Sequence, residues 1–298
     1  VTQQALAAWP TASTRLVVLL GWPARHSLSP ELHNAAFRAQ GLDLVYLAVP
    51  TPPADVQAVV TALGAMDVLG ANVTVPHKRA VVEVCDELTE EAHLIGAVNT
   101  LHWSGAGLVG DNTDAHGLLA ALRSEVAPTP GERWVLFGTG GAARAAAVAI
   151  GRLEGRVAVV GRREDPAREV AGLADRCGAR DTEVVLVDDG ARLAAVARSA
   201  RTVVNATPLG MSGEELPEPL MALERGQVAY DLVYAPTPTP FLSAAGGRGA
   251  ATHHGLGMLL GQAAASYERW TGTPAPRQVM EATARRALAA KQAPQPER

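Results

Sequence analysis

Proton transfer needs a titratable nitrogen held near a carboxylate, and this chain offers a candidate pair in Lys78 and Asp114. Lys78 ends the run Ala71-Asn72-Val73-Thr74-Val75-Pro76-His77-Lys78, and Asp114 ends Gly110-Asp111-Asn112-Thr113-Asp114. The pattern places Lys78 in the first turn of a short helix entered at Pro76. A lysine there meets partial positive charge and partial burial, and can exchange protons near neutrality. Asn72 and Thr74 lie two apart, so they share one face of a strand read over 68–75. They lie near its carboxyl end, where open α/β sheets bind ligands. Ser27 and Ser29, in the turn-rich loop Gly21–Pro30, can each donate to and accept from a polyhydroxy acid. On residue type alone, bland readings stand beside these. Ser29 suits a helix N-cap before Pro30, Asp114 suits a cap on the next helix, Ser27 a plain turn and Lys78 the surface. His77 reads as a partly exposed neighbour without chemistry.

A second constellation lies in Arg133–Gly151, where the apolar strand Trp134–Phe137 turns through Gly138-Thr139-Gly140-Gly141-Ala142-Ala143 into an Ala-rich helix. Strand, glycine turn and helix together form a dinucleotide-binding signature. Gly138 permits the tight turn, Gly140 lets a pyrophosphate approach the backbone, and Ala143 keeps helix and strand close. Free N–H groups at the helix start then face phosphate. An NAD site usually has an acid at the end of the next strand. Here Arg156–Val160 runs into Gly161-Arg162-Arg163, and two guanidiniums suit the 2′-phosphate of NADP. Glu164 and Asp165 follow directly, so NAD stays open beside NADP. The small-residue loop Asn205–Ser212, after a strand over 202–205, suits contact with the nicotinamide side.

The elements needed to hold these groups are legible as an αβ alternation. Strands are read over 16–20, 44–49, 68–75, 134–137, 156–160, 184–187, 202–205 and 228–233, and another opens at Gly96-Ala97-Val98-Asn99-Thr100. Helices are read over 30–40, 55–63, 118–123, 191–200, 255–270 and 277–290. Met280, Ala284 and Leu288 form an apolar stripe on the last, expected in the core. The chain has 298 residues, 48% hydrophobic and 19% charged, with a formal charge of −4, which argues against a general nucleic-acid or membrane binder. Cys85 and Cys177 are too few and too far apart for a disulfide framework or metal cluster, and read as buried small hydrophobes. Residues 1–14 read as a loose tail without signal-peptide character, which points to the cytoplasm.

Eight motifs occur in an order that resembles the shikimate dehydrogenase family: HSLSP (26–30), ANVTVPHK (71–78), GAVNT (96–100), GDNTD (110–114), GTGGAARA (138–145), NATPLGM (205–211), DLVY (231–234) and GLGMLLGQAA (255–264). The resemblance implies an α/β chain of two domains. An open α/β substrate domain is formed by 1–113 plus 255–298. A Rossmann-like NADP-binding domain with a parallel sheet, 114–254, is inserted in it, and the active site lies in the cleft between them. It implies reversible NADPH-dependent reduction of 3-dehydroshikimate to shikimate in chorismate biosynthesis, on small molecules only, by a monomer or homodimer without metal. The family's catalytic pair falls on Lys78 and Asp114. Its substrate-binding residues fall on Ser27, Ser29, Asn72, Thr74, Asn99, Tyr234 and Gln262. Its cofactor contacts fall on Gly138, Thr139, Gly140, Gly141, Ala142, Arg162, Arg163, Thr207, Leu232 and Gly255. Where NADP-using members often carry Asn-Arg-Thr, this chain has Gly161-Arg162-Arg163. That departure leaves quinate/shikimate dehydrogenases, which also accept NAD, as the alternative, with a non-catalytic shikimate- or quinate-binding relative behind it.

Overall fold

A computed structural model describes residues 10–105 and 107–292. The described residues divide into two compact units, one formed by residues up to 113 with 262–290 and the other mainly by 114–261. The second crossing lies inside a helix rather than at Gly255. The first unit begins with β1 (Arg15–Gly21), α1 (Ser29–Ala39), β2 (Leu44–Pro50), α2 (Val56–Ala65) and β3 (Gly70–Val73). It continues with β4 (Glu87–Leu88), α3 (Glu90–Ile95), β5 (Thr100–Ser104) and β6 (Gly107–Asp111). The second contains α4 (Asp114–Glu125), β7 (Arg133–Phe137), α5 (Gly141–Arg152), β8 (Arg156–Gly161), α6 (Glu164–Arg176), β9 (Asp181–Leu186) and α7 (Gly190–Ser199). It goes on through β10 (Thr202–Asn205), α8 (Glu218–Met221), β11 (Val228–Asp231), α9 (Pro240–Gly247) and β12 (Ala251–His254). The helices α10 (Leu256–Thr271) and α11 (Arg277–Gln292) close the chain.

The first sheet has the order β2-β1-β3-β5-β6-β4. Its first three strands are parallel, so the carboxyl ends of β1 and β3 lie side by side, with Leu20 opposite Val73. β5 runs antiparallel to β3 and to β6. The second sheet, β12-β11-β10-β7-β8-β9, is parallel throughout. That is the doubly wound order, whose direction reverses between β7 and β10 and opens a crevice there. Its strands are apolar on both faces because helices cover both. Val135, Phe137, Ala158, Val160 and Val203 share one buried cluster with Leu193, Leu220 and Phe241 from the helices. Each such large side chain stabilises the fold by roughly 1.5–3 kcal/mol. The stripe Met280, Ala284 and Leu288 is buried as read.

Several expectations need correcting. The strand read over 68–75 ends at Val73, and residues 75–79 form turns before a 3-10 segment, Ala80–Val84, so Lys78 precedes a helix rather than opening one. The strand ends because the chain turns there: the His77 N–H donates to the Thr74 carbonyl at 2.9 Å, although the Val75 carbonyl still accepts from the Trp22 N–H at 3.0 Å. His77 is buried, its Nε2 2.8 Å from the Thr51 carbonyl oxygen. Ser29 is the first residue of α1 and caps nothing; its N–H donates instead to Ser27 Oγ at 3.1 Å. Asp114 is likewise inside its helix, not ahead of it. Gly96-Ala97-Val98-Asn99 is not strand, because Gly96 ends α3 with a left-handed φ of 65° and β5 starts only at Thr100. Neither Cys85 nor Cys177 is in a disulfide, and both are only half-buried. Burial and the neighbouring Asp86 push the Cys85 thiol up to about 11, which keeps it protonated. Of the expected loose tail, residues 1–9 lie outside the described residues. Ser13 and Thr14, however, are tied to the Asp43 carboxylate at 2.9 and 2.6 Å.

Beneath β1–β3 lies an aromatic cluster in which His33 stacks on Tyr46 at 4.6 Å and lies 5.2 Å from Trp270. His33 is fully buried, and neither ring nitrogen has a hydrogen-bond partner among the described residues. Burial alone holds its pKa down at about 3, against an ordinary 6.5. The unfolded chain therefore takes up a proton below about pH 6.5 that the folded chain refuses, so this site costs stability as pH falls from 6.5 toward 3. The slope is about 1.4 kcal/mol per pH unit at most. Replacing His33 with Phe should flatten the loss of urea stability between pH 6.5 and about 4.5 relative to wild type. Parallel pH profiles for the two proteins would show that His33 does not titrate on unfolding.

Candidate active site

The parallel pairing of β1 with β3 brings the segments that follow them to one edge of the first sheet. The Thr74 N–H donates to the Leu20 carbonyl at 2.8 Å, and the Thr74 methyl lies against Gly21, where a Cβ would collide with it. The Val73 N–H donates to the Asn99 carbonyl at 2.8 Å, and the Val98 N–H to the Lys78 carbonyl at 2.7 Å. Thr74, Lys78 and Asn99 are thus fixed to one another through backbone, with Ser27 on the loop that leaves β1 and Ser29 at the start of α1. Ser27 Oγ accepts from the Ser29 N–H, which leaves its own hydrogen for another acceptor.

Asn99 and Asn72 are the nodes of a buried polar network in this unit. Asn99 Oδ1 accepts from the Thr113 N–H and the Thr100 hydroxyl, each at 2.9 Å, while Asn99 Nδ2 donates to Thr113 Oγ1 at 2.9 Å and faces Gln262 Oε1 at 3.5 Å. Gln262, from α10, thus meets Asn99, and Asp114 is one peptide bond beyond Thr113. Asn72 Oδ1 accepts from the Tyr46 hydroxyl at 2.8 Å. Its Nδ2 donates to the Asn99 carbonyl and to Ser266 Oγ, each at 3.1 Å. Asn72 therefore spends its amide on Tyr46, Ser266 and the Asn99 carbonyl. The Asp111 carboxylate steadies the approach to Asp114: Oδ1 accepts from the Thr89 hydroxyl at 2.7 Å, and Oδ2 pairs with Arg269 at 2.6 Å.

In the second unit, Gly138 follows β7 with φ 125°, and a Cβ there would stand 3.0 Å from the Ala206 carbonyl oxygen. Only glycine suits that turn. Gly140 is exposed, with open space where a Cβ would be, and helix α5 begins at Gly141. The first N–H groups of a helix have no intrahelical acceptor, so this end can receive a phosphate. Thr139 touches the end of β8, its methyl 3.0 Å from where a Gly161 Cβ would lie. Arg162 and Arg163 follow, exposed, and among the described residues neither side chain makes an ion pair or hydrogen bond. Glu164 does not neutralise them, because it pairs with Arg168 along α6. These residues fit a dinucleotide carrying a 2′-phosphate: open backbone at the turn, donors at the helix start and two unneutralised guanidiniums.

Across the crevice, Asn205 Oδ1 accepts from the Thr207 N–H at 3.0 Å and its hydroxyl at 2.7 Å. Asn205 Nδ2 donates to the Leu209 carbonyl at 3.0 Å and to Asp231 Oδ1 at 2.9 Å. The other Asp231 oxygen accepts from the Thr239 hydroxyl at 2.6 Å. Burial raises the Asp231 pKa, and the donors from Thr239, Val233 and Asn205 oppose that shift. Gly255 packs directly on the Leu232 backbone, where any side chain would clash. Thr207, Leu232 and Gly255 are thus held at the carboxyl edge of this sheet. Tyr234 follows, half-buried.

A family model described as shikimate dehydrogenase substrate binding domain matches residues 19–101, and one described as shikimate 5′-dehydrogenase C-terminal domain matches 255–285. The NADP+-dependent shikimate dehydrogenase of Geobacter sp. (strain M21) is 43% identical over 291 residues, covering 94% of this chain and 97% of that one. The chain belongs to the shikimate dehydrogenase family. A solved shikimate dehydrogenase in complex with NADP+ has a TM-score of 0.83 at 32% identity, covering 93% of this chain and 97% of its own. The shikimate 5-dehydrogenase of Thermus thermophilus, solved with NADP(H) and shikimate, has a TM-score of 0.77 at 35% identity, covering 92% of this chain and 100% of its own.

In this member of the shikimate dehydrogenase family, sequence reasoning missed the residues that hold the site rather than form it: Tyr46, Thr100, Thr113, Ser266 and Asp231. Ser266 carried a signal, since it lies one helical turn beyond Gln262 on an otherwise apolar stretch of α10. Removing the Asp231 carboxylate strands the donors of Asn205, Thr239 and Val233. Asp231→Ala should therefore cost about 2–4 kcal/mol in urea unfolding, since each buried group left unpaired costs ~1–3 kcal/mol. A loss under about 0.5 kcal/mol would show that water replaces the carboxylate without penalty.

Proposed function

We propose that this chain is a shikimate dehydrogenase that reversibly reduces 3-dehydroshikimate to shikimate with NADPH, within chorismate biosynthesis. The observation that carries the reading is the 43% identity, over nearly the full length, to a relative named for that activity. The intact glycine turn and the two unneutralised arginines after β8 support NADP as its cofactor. When bound, NADPH supplies the reducing equivalent at the substrate carbonyl carbon. The chain supplies orientation and the proton. Lys78 delivers a proton from Nζ to the carbonyl oxygen as negative charge develops there. Asp114 holds the Lys78 ammonium and a substrate hydroxyl in register, which converts encounter into alignment. Ser27 and Ser29 take the substrate carboxylate. Thr74, Asn99, Gln262 and Tyr234 take its hydroxyls, and Asn72 supports Asn99 from below. Gly138 to Ala142, with Thr207, Leu232 and Gly255, seat the dinucleotide, and Arg162 and Arg163 grip its 2′-phosphate. The same reading makes the protein a cytoplasmic enzyme, a monomer or homodimer with small-molecule partners only. No helix among the described residues is long and apolar enough to cross a membrane.

Two experiments test this assignment. Lys78→Ala should lower kcat for shikimate oxidation by about 10²–10⁴-fold, with KM changed only a few-fold. A loss confined to KM would mean that Lys78 only binds. Arg162→Ala and Arg163→Ala should each raise KM for NADP about tenfold or more, since hydrogen bonds to charged groups are worth ~1.5–3 kcal/mol. KM for NAD should hardly move. Equal effects on both cofactors would place the arginines away from the 2′-phosphate.

A further inference from the structure

The hydrogen bonds around Ser266 have a forced direction. Asn72 Oδ1 is taken by the Tyr46 hydroxyl at 2.8 Å, so the Asn72 amide nitrogen points the other way and donates to Ser266 Oγ at 3.1 Å. Having accepted there, Ser266 Oγ lies 2.8 Å from Thr100 Oγ1 and 3.2 Å from Thr113 Oγ1, and both threonine hydroxyls donate to Asn99 Oδ1, at 2.9 and 3.2 Å. An amide oxygen can only accept, so with the threonine hydrogens spent on Asn99 Oδ1 the Ser266 hydroxyl donates toward the threonine oxygens, and polarity runs from Tyr46 through Asn72 and Ser266 into Asn99. Tyr46, Thr100 and Ser266 are all fully buried, so water cannot substitute for a missing link. At the end of the chain the Asn99 amide is held with its oxygen inward and its nitrogen toward Gln262 Oε1, 3.5 Å away. Asn99 and Gln262 are two of the residues assigned above to the substrate hydroxyls, and Ser266 is carried on the same helix as Gln262.

We infer that Ser266 is a positioning residue for substrate recognition. Its hydroxyl braces the hydroxyls that hold the Asn99 oxygen, beside the Thr113 N–H, and ties that arrangement to the placement of Gln262 on α10. The inference rests on the shikimate dehydrogenase reading for what is bound, and on the hydrogen-bond directions alone for how the amide is held. Without the hydroxyl, one amide hydrogen of Asn72 keeps only the longer contact to Thr100 Oγ1 at 3.3 Å, and Thr100 loses its closest donor. The Asn99 amide then loses part of its restraint, although the Thr113 N–H still holds its oxygen.

The test is steady-state kinetics of Ser266→Ala, with Ser266→Thr and Ser266→Val as a pair of matched shape that differs in the hydroxyl. We expect Ser266→Ala to raise KM for shikimate about tenfold, the size of one lost buried hydrogen bond. KM for NADP and kcat should stay within about twofold. Ser266→Thr should bind shikimate more tightly than Ser266→Val. An unchanged shikimate KM in Ser266→Ala, equal values for Thr and Val, or a common loss in both KM values and kcat would overturn the inference. A readout independent of turnover is the side-chain amide signals of Asn72 and Asn99 in ¹⁵N-labelled protein, which should exchange faster with solvent in Ser266→Ala. If wild-type protein did not turn over shikimate, the functional reading would fail while these signals still decided the inference. Unchanged amide exchange in Ser266→Ala would overturn it on its own.

Discussion

A polar side chain buried at the end of a sheet must find all its hydrogen-bond partners inside the protein, and two asparagines show how much of this chain that requirement organises. Asn99 lies beside the end of β3 and gathers Thr113, Thr100 and, through its own carbonyl, Val73 and Asn72. Asn205 ends β10 and gathers Thr207, Leu209 and Asp231. In each unit the amide's donor and acceptor ends differ, so the loop that satisfies it can adopt only one course. The loops fixed in this way carry Thr207 in one unit and lead into Asp114 in the other. A rigid polar layer under each site matters because a misplacement of about 1 Å can cost ~10²-fold in rate.

Charge is placed with the same economy. Several carboxylates on the second unit pair with arginines along or between elements: Glu164 with Arg168, Glu154 with Arg180, and Glu183 with Arg192. Arg162 and Arg163 stand apart from that pattern. Two cations left unneutralised at the end of β8 cost little in water, and they keep their donors available for an anion. The acidic residues that follow them form the first turn of α6, where negative charge interacts favourably with the helix dipole.

Much of this was legible from residue order. The glycine turn announced itself because a positive φ and a close backbone approach leave few residue choices, and the parallel strands because both faces are apolar. Lys78, Asp114 and the serines could be picked out as chemically capable, although helix capping explained Ser29 and Asp114 equally well until their positions inside α1 and α4 were seen. What could not be read depends on tertiary partners. Helix α3 is short, and its only cue was the Thr89 cap before two glutamates. β12 is a partly exposed edge strand without an apolar run. His33 gave no sign that it would be buried among Tyr46, Phe37 and Trp270, and Ser266 looked like one small residue among alanines. Asn72 was recognised as polar in an apolar strand, but the bond its amide makes to Tyr46 depended on a side chain 26 residues away.

The central claim is that this chain oxidises shikimate with NADP. Its most direct test follows the absorbance of the reduced nicotinamide in purified protein, comparing kcat/KM for shikimate and quinate, each with NADP and with NAD. The account predicts that shikimate with NADP exceeds every other pair by at least about tenfold, a difference that one or two hydrogen-bonding groups can supply. Comparable turnover of quinate with NAD would move the protein to the quinate branch of the family. Folded protein with no turnover of any pair would contradict the claim outright.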